Sequence, residues 1–278
     1  MKQVTALTKY PIVAENIGVK VGWDKHILEN VSLGLKKNEF VGLIGGSGSG
    51  KTTLMTCLNG YRRPSAGKVI INGRPADDKI TTRRLIGYVP QDDIVHPTLT
   101  VERALYYSCL LRQESLSEEK IEFRVGKVMY HLDLSDHKNK KISSLSGGQR
   151  KRVNIGVELL HSPRLFFLDE PTAGLDPGLE RQLMRLLAKL AEKDRVVVMT
   201  THLMQHAHLF HILIFVHKGH MVYFGPGSEI TDFFQVTDMI DLFEKIIPAD
   251  PVMLARKFRE SALCGHWLLP RLKGGAHV

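Results

Sequence analysis

Phe40-Val41-Gly42-Leu43-Ile44 runs into Gly45-Gly46-Ser47-Gly48-Ser49-Gly50-Lys51-Thr52 and then into Thr53-Leu54-Met55-Thr56-Cys57-Leu58. The first five residues are apolar and bounded by glycine, the pattern of a buried strand. Lys51 to Leu58 reads as a helix ending near Asn59-Gly60. The loop between fits G-x-x-x-x-G-K-[ST] in the strand, loop and helix setting that a phosphate-binding loop requires. Phosphate oxygens need several donors in a small space. Glycine lets backbone N–H groups turn inward, and the following helix adds the positive end of its dipole. Lys51 brings a mobile charge for β and γ phosphates, and the Thr52 hydroxyl can coordinate Mg²⁺. The alternative, a merely flexible loop, requires four glycines, Lys51-Thr52 and the flanking elements to coincide.

Working outward, short β-rich pieces precede the loop at Ile12 to Ala14 and Val31 to Leu35, and strand-like pieces follow at Lys68 to Ile71 and Ile86 to Val89. Thr100 to about Leu134 is mainly helical in pattern, with Ser117 as N-cap before Glu118 and Glu119. Strands resume at Leu165 to Leu168 and Val196 to Thr200 around a helix at Leu179 to Ala191, the alternation of a parallel α/β core. Ile212 to Val216 and Met221 to Phe224 flank Lys218-Gly219 as a hairpin. From about Ser228 the pattern is mostly helical, broken at Pro248, Pro251 and Pro270. No internal repeat is present.

Leu165 to Leu168 runs into Asp169-Glu170, two carboxylates at the end of a buried strand, where ligands bind in open α/β sheets. Asp169 suits Mg²⁺ through water, and Glu170 suits a general base that polarises the attacking water. An ordinary acidic strand exit is the plainer reading, which loses weight beside a phosphate-binding loop.

Leu145-Ser146-Gly147-Gly148-Gln149 precedes a helical run from Gln149 to Leu160 and forms a second glycine-rich helix N-terminus able to hold an anion. Here the chain resembles the ATP-binding-cassette (ABC) ATPase family, whose signature sequence is LSGGQ. Gln91 resembles the Q-loop residue, Gly174-Leu175-Asp176 the D-loop, and His202 after Thr200-Thr201 the switch histidine. The resemblance covers about Ile12 to Phe234. It implies an ABC ATPase fold: a P-loop α/β core of mainly parallel sheet, a β-rich flank and an inserted helical subdomain. It implies ATP and Mg²⁺ as ligands, and a head-to-tail dimer, homomeric or heteromeric, with each ATP between one subunit's P-loop and the other's LSGGQ. Nucleotide contacts are then expected from Gly45, Gly46, Ser47, Gly48, Ser49, Gly50, Lys51, Thr52, Thr53, Gln91 and Asp176, and in trans from Ser146, Gly147, Gly148 and Gln149. Mg²⁺ contacts fall to Thr52, Gln91 and Asp169, and catalytic roles to Lys51, Glu170 and His202.

The wording from Tyr88, Leu145 and Leu168 is most similar to the White-type (G) subfamily and its bacterial relatives, in which the ATPase works with an exporter-type membrane domain. Two residues depart from the family pattern. Trp23, the candidate for stacking on adenine, stands one or two positions from the usual place, and Ala173 precedes Gly174 where serine is frequent. His202, His206, His208, His211, His217 and His220 invite a zinc reading, but they carry no HExxH. Asp92-Asp93 reads as a loop facing a membrane partner.

The composition excludes collagenous, low-complexity and disulfide-rich classes: 43% of residues are hydrophobic, 24% charged and 7% aromatic. The formal charge of +9 suits a polyanion, an anionic membrane face or simply a solvated basic surface. No basic block resembles a nucleic-acid arm, so no nucleic-acid partner is expected. Cys57, Cys109 and Cys264 form no CxxC pair, which fits a reducing compartment. The N-terminus shows no signal-peptide core, and the apolar run Leu209 to Val216 is interrupted by His211 and falls far short of a membrane span. The expected organisation is an ABC ATPase domain at 1–235, with a helical subdomain at about 92–163, and a mainly helical appendage at 236–278. Its expected location is cytoplasmic, at the membrane's inner face, held by a transmembrane permease subunit or domain. A soluble ABC protein acting on DNA or ribosomes is the alternative.

Overall fold

The computed structural model describes residues 6–22, 25–78, 82, 84–112, 116–202 and 206–275. Strands β1 (Ile12–Val21), β2 (Lys25–Leu35), β4 (Ala66–Ile71) and β5 (Arg74–Pro75) form an antiparallel sheet ordered β2-β1-β4-β5. Strands β3 (Glu39–Ile44), β6 (Ile86–Val89), β7 (Leu165–Leu168), β8 (Val196–Thr200), β9 (Ile212–His217) and β10 (His220–Gly225) form a second sheet ordered β10-β9-β3-β8-β7-β6. This sheet is parallel except for the β9–β10 hairpin.

Both faces of the parallel sheet are covered, which is why its strands read as continuous apolar runs. Phe40, Ile44, Phe166, Leu168, Val197 and Met199 point into one core, shared with the helical subdomain. Val41, Leu43, Leu165, Phe167, Val196 and Val198 point into the other, against the antiparallel sheet and helix α1 (Lys51–Leu58). The split follows the two-residue side-chain period of a strand.

β1 and β2 are much longer than their apolar pieces predicted. Their remaining residues include Glu15, Asn16 and Lys20 on a wetter face, and an antiparallel sheet tolerates polar residues there. Register shifts along β1 further blur the alternation.

The middle region divides into α2 (Val101–Arg112), α3 (Glu118–His131) and α4 (Gly147–Leu159). Ser117 occupies the N-cap of α3, but its side chain makes no cap hydrogen bond. Helix α5 (Pro177–Ala191) begins with Pro177 in its first turn and with Asp176 accepting from the Gly178 and Leu179 N–H groups.

The C-terminal segment forms α6 (Ile230–Phe234), α7 (Met239–Ile246), α8 (Pro251–Arg259), a π-helical turn (Cys264–Leu268) and α9 (Leu269–Gly275). Leu242, Ile246 and Ala255 enter the first core, and Phe258, Cys264 and Leu268 the second. Arg271, 6% exposed, donates to Gly34 O at 3.2 Å and to Glu39 Oε2 at 2.8 Å. Gly34 permits that approach, since a Cβ there would stand 2.8 Å from Arg271 Cβ.

Candidate nucleotide site

The glycine loop leaves β3 and enters α1 with its backbone turned in on itself. Gly45 has φ 150° and a Cβ there would meet Val216 O at 2.2 Å, so no other residue fits. Lys51, 6% exposed, folds back so that Nζ donates to Gly45 O at 3.0 Å and Gly46 O at 2.9 Å. Burial lowers its pKa, with Glu170 and Asp169 pulling the other way. Ser49 Oγ is buried with no hydrogen-bond partner, while Gly46 and Gly48 face open space. The loop thus holds the Lys51 ammonium against its own carbonyls and leaves Gly46 and Gly48 open to an incoming group.

β7 and β8 are parallel neighbours with Leu168 opposite Met199, so residues just beyond both strand ends meet at one edge. Thr200 Oγ1 donates to Asp169 Oδ1 at 2.5 Å and accepts from Glu170 N at 2.8 Å. Asp169 is 2% exposed, and Thr52 Oγ1 approaches its Oδ1 at 3.3 Å, long for a hydroxyl-to-carboxylate bond. Glu170 has φ 47°, a left-handed conformation costing a non-glycine residue about 1–3 kcal/mol. Its carboxylate meets His202, with Oε1 2.7 Å from Nε2. The sheet therefore brings Lys51, Thr52, Asp169, Glu170 and His202 together.

Gln91 lines a 240 Å³ cleft with Glu170, Gly147, Ala173 and Lys151. Lys151 Nζ donates to Pro90 O and Gln91 O, each at 2.9 Å. Asp93 accepts from Arg150 Nε at 3.0 Å and Asn154 Nδ2 at 2.6 Å. The segment after β6 is thus tied to α4. Sequence reasoning missed both Thr200 and Lys151. Thr200 carried a signal as the last residue of a buried strand beside His202, whereas Lys151 carried none.

Ser146 caps α4 in a reciprocal capping box with Gln149: Gln149 N donates to Ser146 Oγ at 3.3 Å and Ser146 N to Gln149 Oε1 at 3.0 Å. Gln149 Nε2 also contacts His137 Nε2 at 3.0 Å. Gly148 packs on the D-loop, where a Cβ would meet Leu175 Cδ2 at 2.7 Å. The P-loop of the same chain opens onto a different cleft, shared with Phe215, Lys218, Phe243 and Ile247. Asp176 Oδ1 is taken by the N–H groups of Gly178 and Leu179, each at 3.0 Å. Trp23 and Leu203 to Gln205 lie outside the described residues.

The histidines have separate partners. His206 meets Glu180 at 2.9 Å, Phe40 N donates to His211 Nδ1 at 3.0 Å, His217 contacts Ala249 O at 3.2 Å, and His220 lies 3.9 Å from Glu29. Among the described residues no three His, Cys, Asp or Glu side chains are grouped as a metal cage. Mg²⁺ does not need one, since it keeps waters and takes one or two carboxylates plus substrate phosphates. The Thr52 hydroxyl beside the buried Asp169 carboxylate fits that donor set.

Fold and site together define a P-loop ATPase cassette. The family model described as ABC transporter matches residues 28–173, and the chain belongs to that family as an ATP-binding, ATP-hydrolysing domain. It is 37% identical over 227 residues to the ABC transporter ATP-binding/permease protein Rv1747 of Mycobacterium tuberculosis, spanning 80% of this chain and 26% of that protein. It is 36% identical over 225 residues to the ATP-binding cassette sub-family G member 5 of Mus musculus, spanning 76% of this chain and 34% of that one. The chain thus spans about a quarter to a third of the length of these relatives. Among solved structures, the post-hydrolysis dimer of the ATP-binding cassette MJ0796 with ADP and Pi matches with TM-score 0.71 and 29% identity, covering 77% of this chain and 98% of that one. The cbiO1 subunit of the cbiONQ transporter complex of Clostridium perfringens matches with TM-score 0.73 and 25% identity, covering 89% and 98%. No helix among the described residues is long and apolar enough to cross a membrane.

Proposed function

We propose that this chain is the motor of an ABC exporter, in which Mg-ATP closes a head-to-tail dimer and hydrolysis reopens it, moving a transmembrane permease subunit or domain. The contact of 2.7 Å between Glu170 and His202, beside the inward Lys51, carries the reading. Lys51 and the backbone of Gly45 to Thr53 hold the β and γ phosphates. Thr52, Gln91 and Asp169 would hold Mg²⁺, which would neutralise phosphate charge there. Glu170 takes a proton from the attacking water, and His202 orients that carboxylate. Ser146, Gly147 and Gly148 donate to the γ-phosphate on the opposite subunit, Gln149 holds that turn in place through the capping box, and Asp176 lies at the dimer seam. The cassette is residues 1–235, its helical subdomain about 92–163, and 236–278 a C-terminal helical part.

The likeness to ATP-binding/permease and G-family proteins supports a permease partner, and the White-type wording from Tyr88, Leu145 and Leu168 favours export. A 1090 Å³ cleft of mixed polarity between Tyr61, Tyr88, Arg112 and Glu158, with Tyr61 78% exposed at its edge, offers such a partner a place to dock. That partner would hold the chain at the cytoplasmic face of a membrane. The test is co-purification from membranes with identification of the bound transmembrane protein. Recovery only with ribosomes or DNA would overturn the reading.

A further inference from the structure

Away from the nucleotide site, α3, the end of α4 and the last turns of α5 enclose a groove of 480 Å³. Leu159, Leu186 and Leu190 line it with apolar surface that is only half-buried. Phe123 stands at the mouth, 73% exposed. The lining is more apolar than polar, and its charged groups stand at the rim.

The rim has one sign of charge. Lys120, Lys127, Lys193 and Arg195 line it, and no aspartate or glutamate does. None of these four pairs with a carboxylate among the described residues, and the adjacent Asp194 is engaged by Arg164 and Lys37. Arg195 is half-buried, and both burial and the nearby Arg164 act against its charge. These four and Arg124, which also lines the groove and donates to Leu160 O at 3.4 Å, surround an apolar floor with no carboxylate in its lining, and so ask for a ligand that is apolar along its length and anionic at its end.

We propose that this groove binds a free single-chain anionic amphiphile, a long-chain carboxylate or alkyl phosphate. Its volume of 480 Å³ falls in the range of small-molecule pockets, roughly 300–1,000 Å³. The alkyl chain covers the leucines and Phe123, and the head group meets the lysines and Arg195.

The test titrates the full chain with dodecyl phosphate below its micelle concentration by calorimetry, beside dodecyl maltoside, inorganic phosphate, anionic phospholipid vesicles and an acidic amphipathic peptide. Dodecyl phosphate binds one to one, and the neutral amphiphile and inorganic phosphate bind weaker by about tenfold or more. Lys127→Glu with Lys193→Glu, and separately Phe123→Asp, weaken it by about tenfold or more with an unchanged thermal midpoint. All three sites are exposed, and Lys127→Gln with Lys193→Gln is the milder pair if charge reversal disturbs folding. Equal binding by the variants or by the neutral amphiphile overturns the proposal. Binding only to vesicles, or tighter binding of the peptide in the same groove, overturns it in favour of a membrane surface or a protein partner. These readouts do not involve ATP, so their failure leaves the nucleotide reading untouched.

Discussion

His202 Nε2 and Glu170 Oε1 are 2.7 Å apart, a hydrogen bond between residues that each follow a parallel strand by two positions. Its geometry depends on the β7–β8 register and on Thr200, which holds Glu170 N from the neighbouring strand. Glu170→Gln keeps the shape but removes the base, so turnover falls by about 10²–10⁴ while Mg-ATP binding persists. Steady-state ATPase and nucleotide affinity measured together check this, and turnover near wild type sinks the role of Glu170.

Lys51 behaves differently because its charge serves binding. Lys51→Met lowers ATP affinity and hydrolysis together. Burial lowers the Lys51 pKa in the fold. Its charge is therefore a cost to stability at neutral pH, relieved as pH rises through the folded pKa toward the unfolded one. Mg-ATP at 100 times Kd stabilises the wild type by about 2.7 kcal/mol. Thermal shift at a matched nucleotide concentration finds that gain missing in the variant, and an undiminished shift refutes the P-loop role.

A site shared between subunits makes a separate demand. Ser146→Arg leaves ATP binding to an isolated subunit intact but blocks closure and hydrolysis. Mixing Lys51→Ala with Ser146→Arg places both lesions in one composite site and leaves the other whole, so activity returns above either variant alone. Full hydrolysis by Ser146→Arg alone, in an active preparation, rules out the shared site.

The Arg271–Glu39 pair pins α9 under the start of β3. Desolvation raises the Glu39 pKa, and Arg271 opposes it. Removing one partner of a buried pair strands the other, so Arg271→Ala costs about 3–5 kcal/mol, and Arg271→Met with Glu39→Gln recovers much of that. Urea denaturation of the three proteins measures it. An unchanged midpoint in Arg271→Ala shows that this pair does not hold α9 to the cassette.

Burial, then Arg112 and Arg124, lower His161 to about 4, and its Nε2 has no hydrogen-bond partner. A histidine held neutral in the fold protonates first when unfolded, so stability is lost as pH falls from about 6.5 toward 4. The loss between pH 7 and 5 is about 1–2 kcal/mol after allowance for solvent. His161→Leu flattens that part of the curve, and parallel acid slopes in variant and wild type contradict the account.

Adjacent residues made the P-loop, Asp169-Glu170 and LSGGQ legible, because each is a helix or strand end whose chemistry sits within a few positions of chain. The same locality exposed the parallel strands, whose burial on both faces leaves continuous apolar runs. The helix read from Leu179 starts at Pro177 instead, and the structure spends Asp176 Oδ1 on its cap.

What the chain could not show by itself is pairing across distance. Thr200 reaches Asp169 across 31 positions and Lys151 reaches Gln91 across 60, and only sheet register and helix docking decide such contacts. The segment 236–278 read as an appendage from its mostly helical pattern and its proline breaks, and only the structure shows Phe258 and Arg271 against β10, Gly34 and Glu39. Local pattern thus determined the elements and the phosphate-binding chemistry. Tertiary structure alone decided which distant side chains orient that chemistry, because a hydrogen bond depends on positions in space and not on separation along the chain.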